Sequence, residues 1–156
     1  TRKRVKRVCE LFSQTIVDRM RLASIALLLS VTGCVPYPIY KTLQPEAKAV
    51  VRDQNARPVL GAMVTLISSA YPYGREKSRE TKETDANGIA SFPSRKEWRT
   101  EVLMIHGWEE YFWNWCIEKP GFQTHATAFR SRAKFVQESV FILTEGASVP
   151  CAPRTK

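Results

Sequence analysis

From residue 47 onward, apolar and polar residues alternate at period two, in short runs separated by turn residues. Successive side chains of a strand point to opposite faces, so each run can bury one face and wet the other. A helix would need apolar residues at every third or fourth position. The runs are Ala47–Asp53, Gly61–Ile67 with Val64 and Leu66 on one face, Lys77–Thr84, Ile89–Phe92, Glu101–His106, Glu110–Glu118, Phe122–Phe129 and Val136–Thr144. Turn signals lie between them: Gln54-Asn55-Ala56-Arg57-Pro58, Tyr71-Pro72-Tyr73-Gly74, Asp85-Ala86-Asn87-Gly88 and Pro120-Gly121. Asn-Gly takes positive φ readily, which marks a hairpin at 87–88. Seven or eight short strands at regular spacing predict an all-β, seven- to eight-stranded antiparallel sandwich. A length of 156 residues suits one such domain with a tail or targeting segment. With 44% hydrophobic and 25% charged residues, neither wholesale disorder nor a polytopic membrane protein fits.

The formal charge of +9 points to nucleic acid only until it is divided along the chain. Residues 1–19 hold six Lys/Arg and two acids, and Arg21 follows. The body is only mildly basic, so no nucleic-acid partner is expected.

Residues 20–34 read MRLASIALLLSVTGC. A positive start, an apolar run from Leu22 to Val31 and a small-residue ending give the order of a secretory signal peptide. Ten helical residues span about 15 Å, half of a bilayer core of about 30 Å, too short for a stable anchor. The small residues lead into a cysteine, and Val31-Thr32-Gly33-Cys34 resembles the lipobox of bacterial lipoproteins. That resemblance implies a diacylglyceryl group on the Cys34 thiol and cleavage between Gly33 and Cys34. Pro36 and Pro38 argue against the alternative of a buried helix running on past Cys34. Residues 1–19 then read as a non-native or n-region extension, 20–33 as the signal peptide (a helix), 34–46 as a tether without hydrophobic period, 47–145 as the β-domain and 146–156 as a tail. Cys9 falls in the leader and Cys34 is the lipid site. Cys116 and Cys151 remain, an even pair in an exported body, which suggests one disulfide; a buried free Cys116 with Cys151 loose in the tail is the alternative.

Within the body, Val51-x-Asp53, Arg57-Pro58-Val59-x-Gly61-Ala62-x-Val64-x-Leu66, Thr84-Asp85-Ala86-Asn87-Gly88-x-Ala90-x-Phe92 and Lys119-Pro120-Gly121-Phe122 follow in an order that resembles the carboxypeptidase regulatory-like domain. The resemblance covers Ala47 to about Phe129 and implies a transthyretin (prealbumin)-like sandwich of about seven strands; it implies a fold, not an activity. The chain departs from the pattern at Asn55-Ala56, where Gly is common, and in an insert between Ser68 and Thr81.

Few residues offer chemistry. In the aromatic run 108–116, Tyr111, Trp113, Trp115 and Ile117 share one strand face, either one wall of the core or a platform for sugar rings. Glu109 and Glu110 are adjacent on a strand and point apart, so they cannot flank one bond. His106 and His125 have no converging Cys or carboxylate pattern, and Ser68, Ser69 and Ser94 lack a nucleophile-elbow context. Basic residues 75, 77, 79 and 82 alternate with Glu76, Glu80 and Glu83 as a charge-balanced strand. No catalytic residue, metal or cofactor is expected.

The sequence therefore predicts a non-enzymatic envelope lipoprotein, held on a membrane by acylated Cys34, whose sandwich is a structural or protein-binding module. Val35, not Asp, follows the cysteine; by resemblance to Gram-negative sorting rules this favours the outer membrane, facing the periplasm. Two alternatives stand beside it. One is an assembly lipoprotein of a secretion apparatus, by analogy with the transthyretin-like lipoprotein of type VI secretion, contacting its envelope partner through Tyr71-Pro72-Tyr73 in the insert. The other is a glycan- or peptidoglycan-binding module using Trp113 and Trp115.

Overall fold

The computed structural model describes Ser24, residues 36–102 and residues 109–151. The expected signal-peptide helix, Gly33 and Cys34 lie outside these residues apart from Ser24, as do His106 and Trp108. The described chain from residue 36 is all-β: β1 (Pro36–Gln44), β2 (Ala47–Asp53), β3 (Met63–Tyr71), β4 (Arg75–Glu83), β5 (Ile89–Phe92), β6 (Arg95–Val102), β7 (Glu110–Glu118), β8 (His125–Ala126) and β9 (Glu138–Leu143), with a 3-10 turn at Arg132–Lys134. They form three sheets, ordered β1-β6, β5-β2-β9 and β4-β3-β7-β8.

The alternation seen in the sequence sets which side chains meet. β3 and β7 pair antiparallel with Val64 opposite Ile117, Leu66 opposite Trp115 and Ser68 opposite Trp113. Those side chains face Ala47, Ala49 and Val51 of β2, Ala90 and Phe92 of β5, and Phe141 and Leu143 of β9 in one core shared by the three- and four-stranded sheets. Burial of apolar surface at about 25 cal/mol per Å² is what holds the two sheets together. The sheets are not uniformly antiparallel as expected: β9 runs parallel to β2, Lys48 opposite Glu138 through Asp53 opposite Leu143. The long stretch from β7 through β8 and the 3-10 turn carries the chain back to the starting end of β2, so β9 enters in the same direction.

Four other expectations are corrected. Residues 36–44, read as a tether, form β1. Pro36 and Pro38 fit because this strand has a neighbour on one side only, where a missing N–H leaves little unpaired. Its far end is tied to the core edge, where Leu43 O accepts from Ser68 Oγ (2.7 Å) and Trp113 Nε1 (2.8 Å). Its partner β6 starts at Arg95 rather than Glu101. The strands expected at Gly61–Ile67 and Lys77–Thr84 extend through the insert as one β3–β4 hairpin, turning at Pro72-Tyr73-Gly74. Phe122–Phe129 shrinks to the two residues of β8, because side chains replace ladder bonds there: Asn114 Oδ1 accepts from Phe129 N–H (2.5 Å) and Trp115 N–H donates to Thr127 Oγ1 (2.8 Å).

Two turns share one construction. Asp53 Oδ1 accepts from the N–H groups of Asn55 and Arg57 (both 2.8 Å), and Asp85 Oδ1 from those of Asn87 (2.9 Å) and Ile89 (2.8 Å). The fourth residue of each is left-handed, Ala56 at φ 61° and Gly88 at φ 73°. Only the second has the residue that this conformation favours. A Cβ on Gly88 would also stand 2.4 Å from Val51 O. Gly88→Ala is expected to lose about 2 kcal/mol or more, and Ala56→Gly to gain about 1 kcal/mol. Urea unfolding of the two variants checks both signs.

Candidate functional site

β7 is covered on both faces. On the inner face Trp113 and Trp115 are only 2% and 1% exposed. Trp115 lies edge-on to Phe92 and Phe141, at 5.5 and 5.9 Å between ring centroids, and stacks on Phe135 at 5.5 Å. Trp113 is closed over by Phe135, with the Arg132 guanidinium 5.8 Å from its ring. The sugar platform considered for Trp113 and Trp115 is thus overturned: both rings are core, sealed by the 3-10 turn and the end of β1.

The outer face of the four-stranded sheet is different. Here Ile67 lies between Asn114 and Arg79, and Ser69 between Phe112 and Glu76. A groove of about 680 Å³ runs over this face, floored by Ile67, Ser69 and Asn114 and walled by Arg75, Lys77 and Thr127. Tyr73, at the hairpin tip, overhangs its end. The tip is held by Gly74 N–H donating to Ala70 O (2.9 Å), with a cis Tyr71–Pro72 peptide. Tyr71 is 53% and Tyr73 72% exposed, and the Arg75 guanidinium sits over the Tyr73 ring at 5.2 Å.

The cations along the groove are not equivalent. Arg79 is engaged on every side: Nε and NH2 donate to Glu76 Oε1 (2.6 Å) and Oε2 (2.8 Å), and NH1 donates to Cys151 O (2.6 Å). The Glu76 hydrogen bonds hold its guanidinium above the ordinary pKa, against the opposing pull of burial. Lys77 pairs with Glu109 at 2.5 Å. Burial pushes Glu109 upward, but the hydrogen bond and charge of Lys77, with the charge of Lys41, leave its carboxyl below the usual range. Tyr111 is raised, chiefly by burial and then by the Glu109 charge, while Arg99 donates to its hydroxyl (2.6 Å). Arg75 has no carboxylate in salt-bridge range among the described residues.

Cys116 and Cys151 form a disulfide, Cα–Cα 6.0 Å, which pins the tail beside the groove and disposes of the free-thiol alternative. Glu109 and Glu110 are engaged or exposed at the edge of β7, and His125 is exposed against Phe141. Among the described residues no three His, Cys, Asp or Glu side chains converge as metal ligands, and no helix is long and apolar enough to cross a membrane. Sequence reasoning missed Arg75, Asn114 and Thr127 as parts of one groove. The signal was faint: a polar Asn in an otherwise aromatic strand, and a Thr within the expected run Phe122–Phe129. Comparison with family models, curated proteins and solved structures finds no match for the chain.

Proposed function

We propose that the chain is a non-enzymatic envelope lipoprotein: Cys34 carries the lipid, and a transthyretin-like sandwich of the carboxypeptidase regulatory type presents a partner-binding hairpin to the periplasm from the outer membrane. The observation that carries this reading is the Cys116–Cys151 disulfide in the body that follows a signal-like segment ending in Cys34. Disulfides persist in oxidising compartments, so the bridge and the leader argue independently for export. β1 begins two residues after Cys34, so the anchored domain would stand close to its membrane. Palmitate labelling tests the anchor. The parent chain is expected to take up label and Cys34→Ala to accumulate as unlabelled precursor; label retained by that variant sinks the reading.

The exposed hairpin tip favours a more specific form, an assembly component that grips an envelope protein through Tyr71 and Tyr73. Replacing both by Ala is expected to abolish co-purification of that partner from solubilised envelopes while shifting stability by no more than about 0.5 kcal/mol. Unchanged capture by the double variant removes the hairpin from the interface.

A further inference from the structure

The two-stranded sheet of β1 and β6 has one face that no described residue covers. Along it stand Pro36, Pro38, Tyr40 and Thr42, with Thr100, Trp98 and Lys96 opposite the last three. Tyr40 is 56% and Trp98 71% exposed, their ring centroids 5.3 Å apart. The alternate row is tied inward or paired: Arg99 to Tyr111 and Glu109, Lys41 to Glu101, and Glu97 to Arg99 (2.8 Å). Every carboxylate of β6 therefore sits in that other row. The exposed row carries two large aromatics, small polar or proline neighbours and one cation, Lys96.

Tyr and Trp rings with an apolar body and a polar edge concentrate where hydrocarbon meets headgroups, and a neighbouring Lys suits anionic headgroups. The position of the patch matters as much as its chemistry. Tyr40 is six residues after Cys34, a reach of at most about 20 Å even fully extended. If the ribbon lies along the surface, both rings meet the interface. If it stands upright, they are held clear of it.

We infer that the Tyr40–Trp98 face of the β1–β6 ribbon is a lipid-contact surface, seated in the headgroup region of the membrane that the Cys34 lipid enters. This rests on the anchoring proposed above and deepens it. The lipid supplies attachment and the ribbon supplies orientation, laying the first strand flat on the bilayer and fixing which way the hairpin tip at Tyr71–Tyr73 points.

The test uses the full chain carrying Trp108→Phe, reconstituted into phosphatidylcholine–phosphatidylglycerol vesicles with brominated acyl chains. Trp113 and Trp115, sealed in the core, serve as unquenched internal references. Trp98 emission is expected to shift to the blue and be quenched, and the further change Trp98→Phe, at an exposed site that leaves folding intact, should remove that quenching. Palmitate labelling of the same preparation reads the anchor separately. Labelled protein whose emission is not quenched overturns the lipid-contact surface and leaves the anchor standing. Unlabelled protein that is quenched keeps the surface and removes the anchor. A blue shift present without vesicles and lost on dilution identifies a second copy of the chain as the occupant and also overturns the proposal.

Discussion

Trp115→Ala is expected to cost about 3–5 kcal/mol, the range for removing a large aromatic from a packed interior. The ring belongs to β7 of the four-stranded sheet but touches two strands of the facing sheet, Phe92 of β5 and Phe141 of β9, besides Phe135 ahead of β9. Its loss therefore opens a void between sheets rather than a notch within one. Its indole N–H has no acceptor among the described residues, so truncation breaks no hydrogen bond and the whole cost is packing. Against a typical total of about 5–15 kcal/mol, the variant should be largely unfolded at modest urea. Tyr73→Ala, at the exposed hairpin tip, is the control and should move the midpoint little. Far-UV circular dichroism through a urea titration reads both. A loss below about 1 kcal/mol for Trp115→Ala would place the ring outside the core.

What the sequence could and could not tell follows from which interactions set each element. β2, β5 and β7 were legible to the residue, because Ala47-x-Ala49-x-Val51, Ala90-x-Phe92 and Trp113-x-Trp115-x-Ile117 each bury one clean apolar row. β1 and β6 were not. Neither buries a full row in the core; they exist as a ladder, Tyr37 opposite Glu101 and Lys41 opposite Glu97, docked by Leu43 and Gln44 at one end. That kind of pairing leaves no period to read. The parallel β2–β9 contact was also invisible, because a strand's pattern fixes its buried face but not its direction.

The candidate site divides along the same line. Tyr71 and Tyr73 were legible, since a Pro-Tyr-Gly turn between strands puts its aromatics at an exposed tip. Trp113 and Trp115 were ambiguous by periodicity, because a row of rings on one face looks the same whether a second sheet or a sugar covers it. The covering came from residues far along the chain, Phe135 and Phe141. The groove, too, is assembled across strands, from Arg75 on one and Asn114 on another, and no local spacing encodes it.

Breaking the Cys116–Cys151 bridge is expected to remove about 3–4 kcal/mol, from the loop-closure entropy of its 35-residue separation. Cys151→Ser is the variant of choice, because it leaves the buried Cys116 as a small apolar side chain in β7. The tail has other holds: Cys151 N–H donates to Glu118 Oε2 (2.6 Å), its carbonyl accepts from Arg79, and Thr124 Oγ1 donates to Val149 O (2.5 Å) while accepting from Val149 N–H (2.8 Å). These bonds are partly or fully exposed and can be exchanged for bonds to water, so they cannot retain the tail as the covalent link does. Freed, the tail should withdraw its carbonyl from Arg79, leaving that guanidinium to Glu76 alone at the end of the groove. Two readouts follow. Non-reducing peptide mapping of the parent should find the two cysteine peptides joined, and its urea midpoint should fall on reduction to that of Cys151→Ser. Reductant should leave the variant itself unmoved. Equal midpoints for the unreduced parent and the variant, with both parent thiols open to alkylation, would show that the bridge does not form.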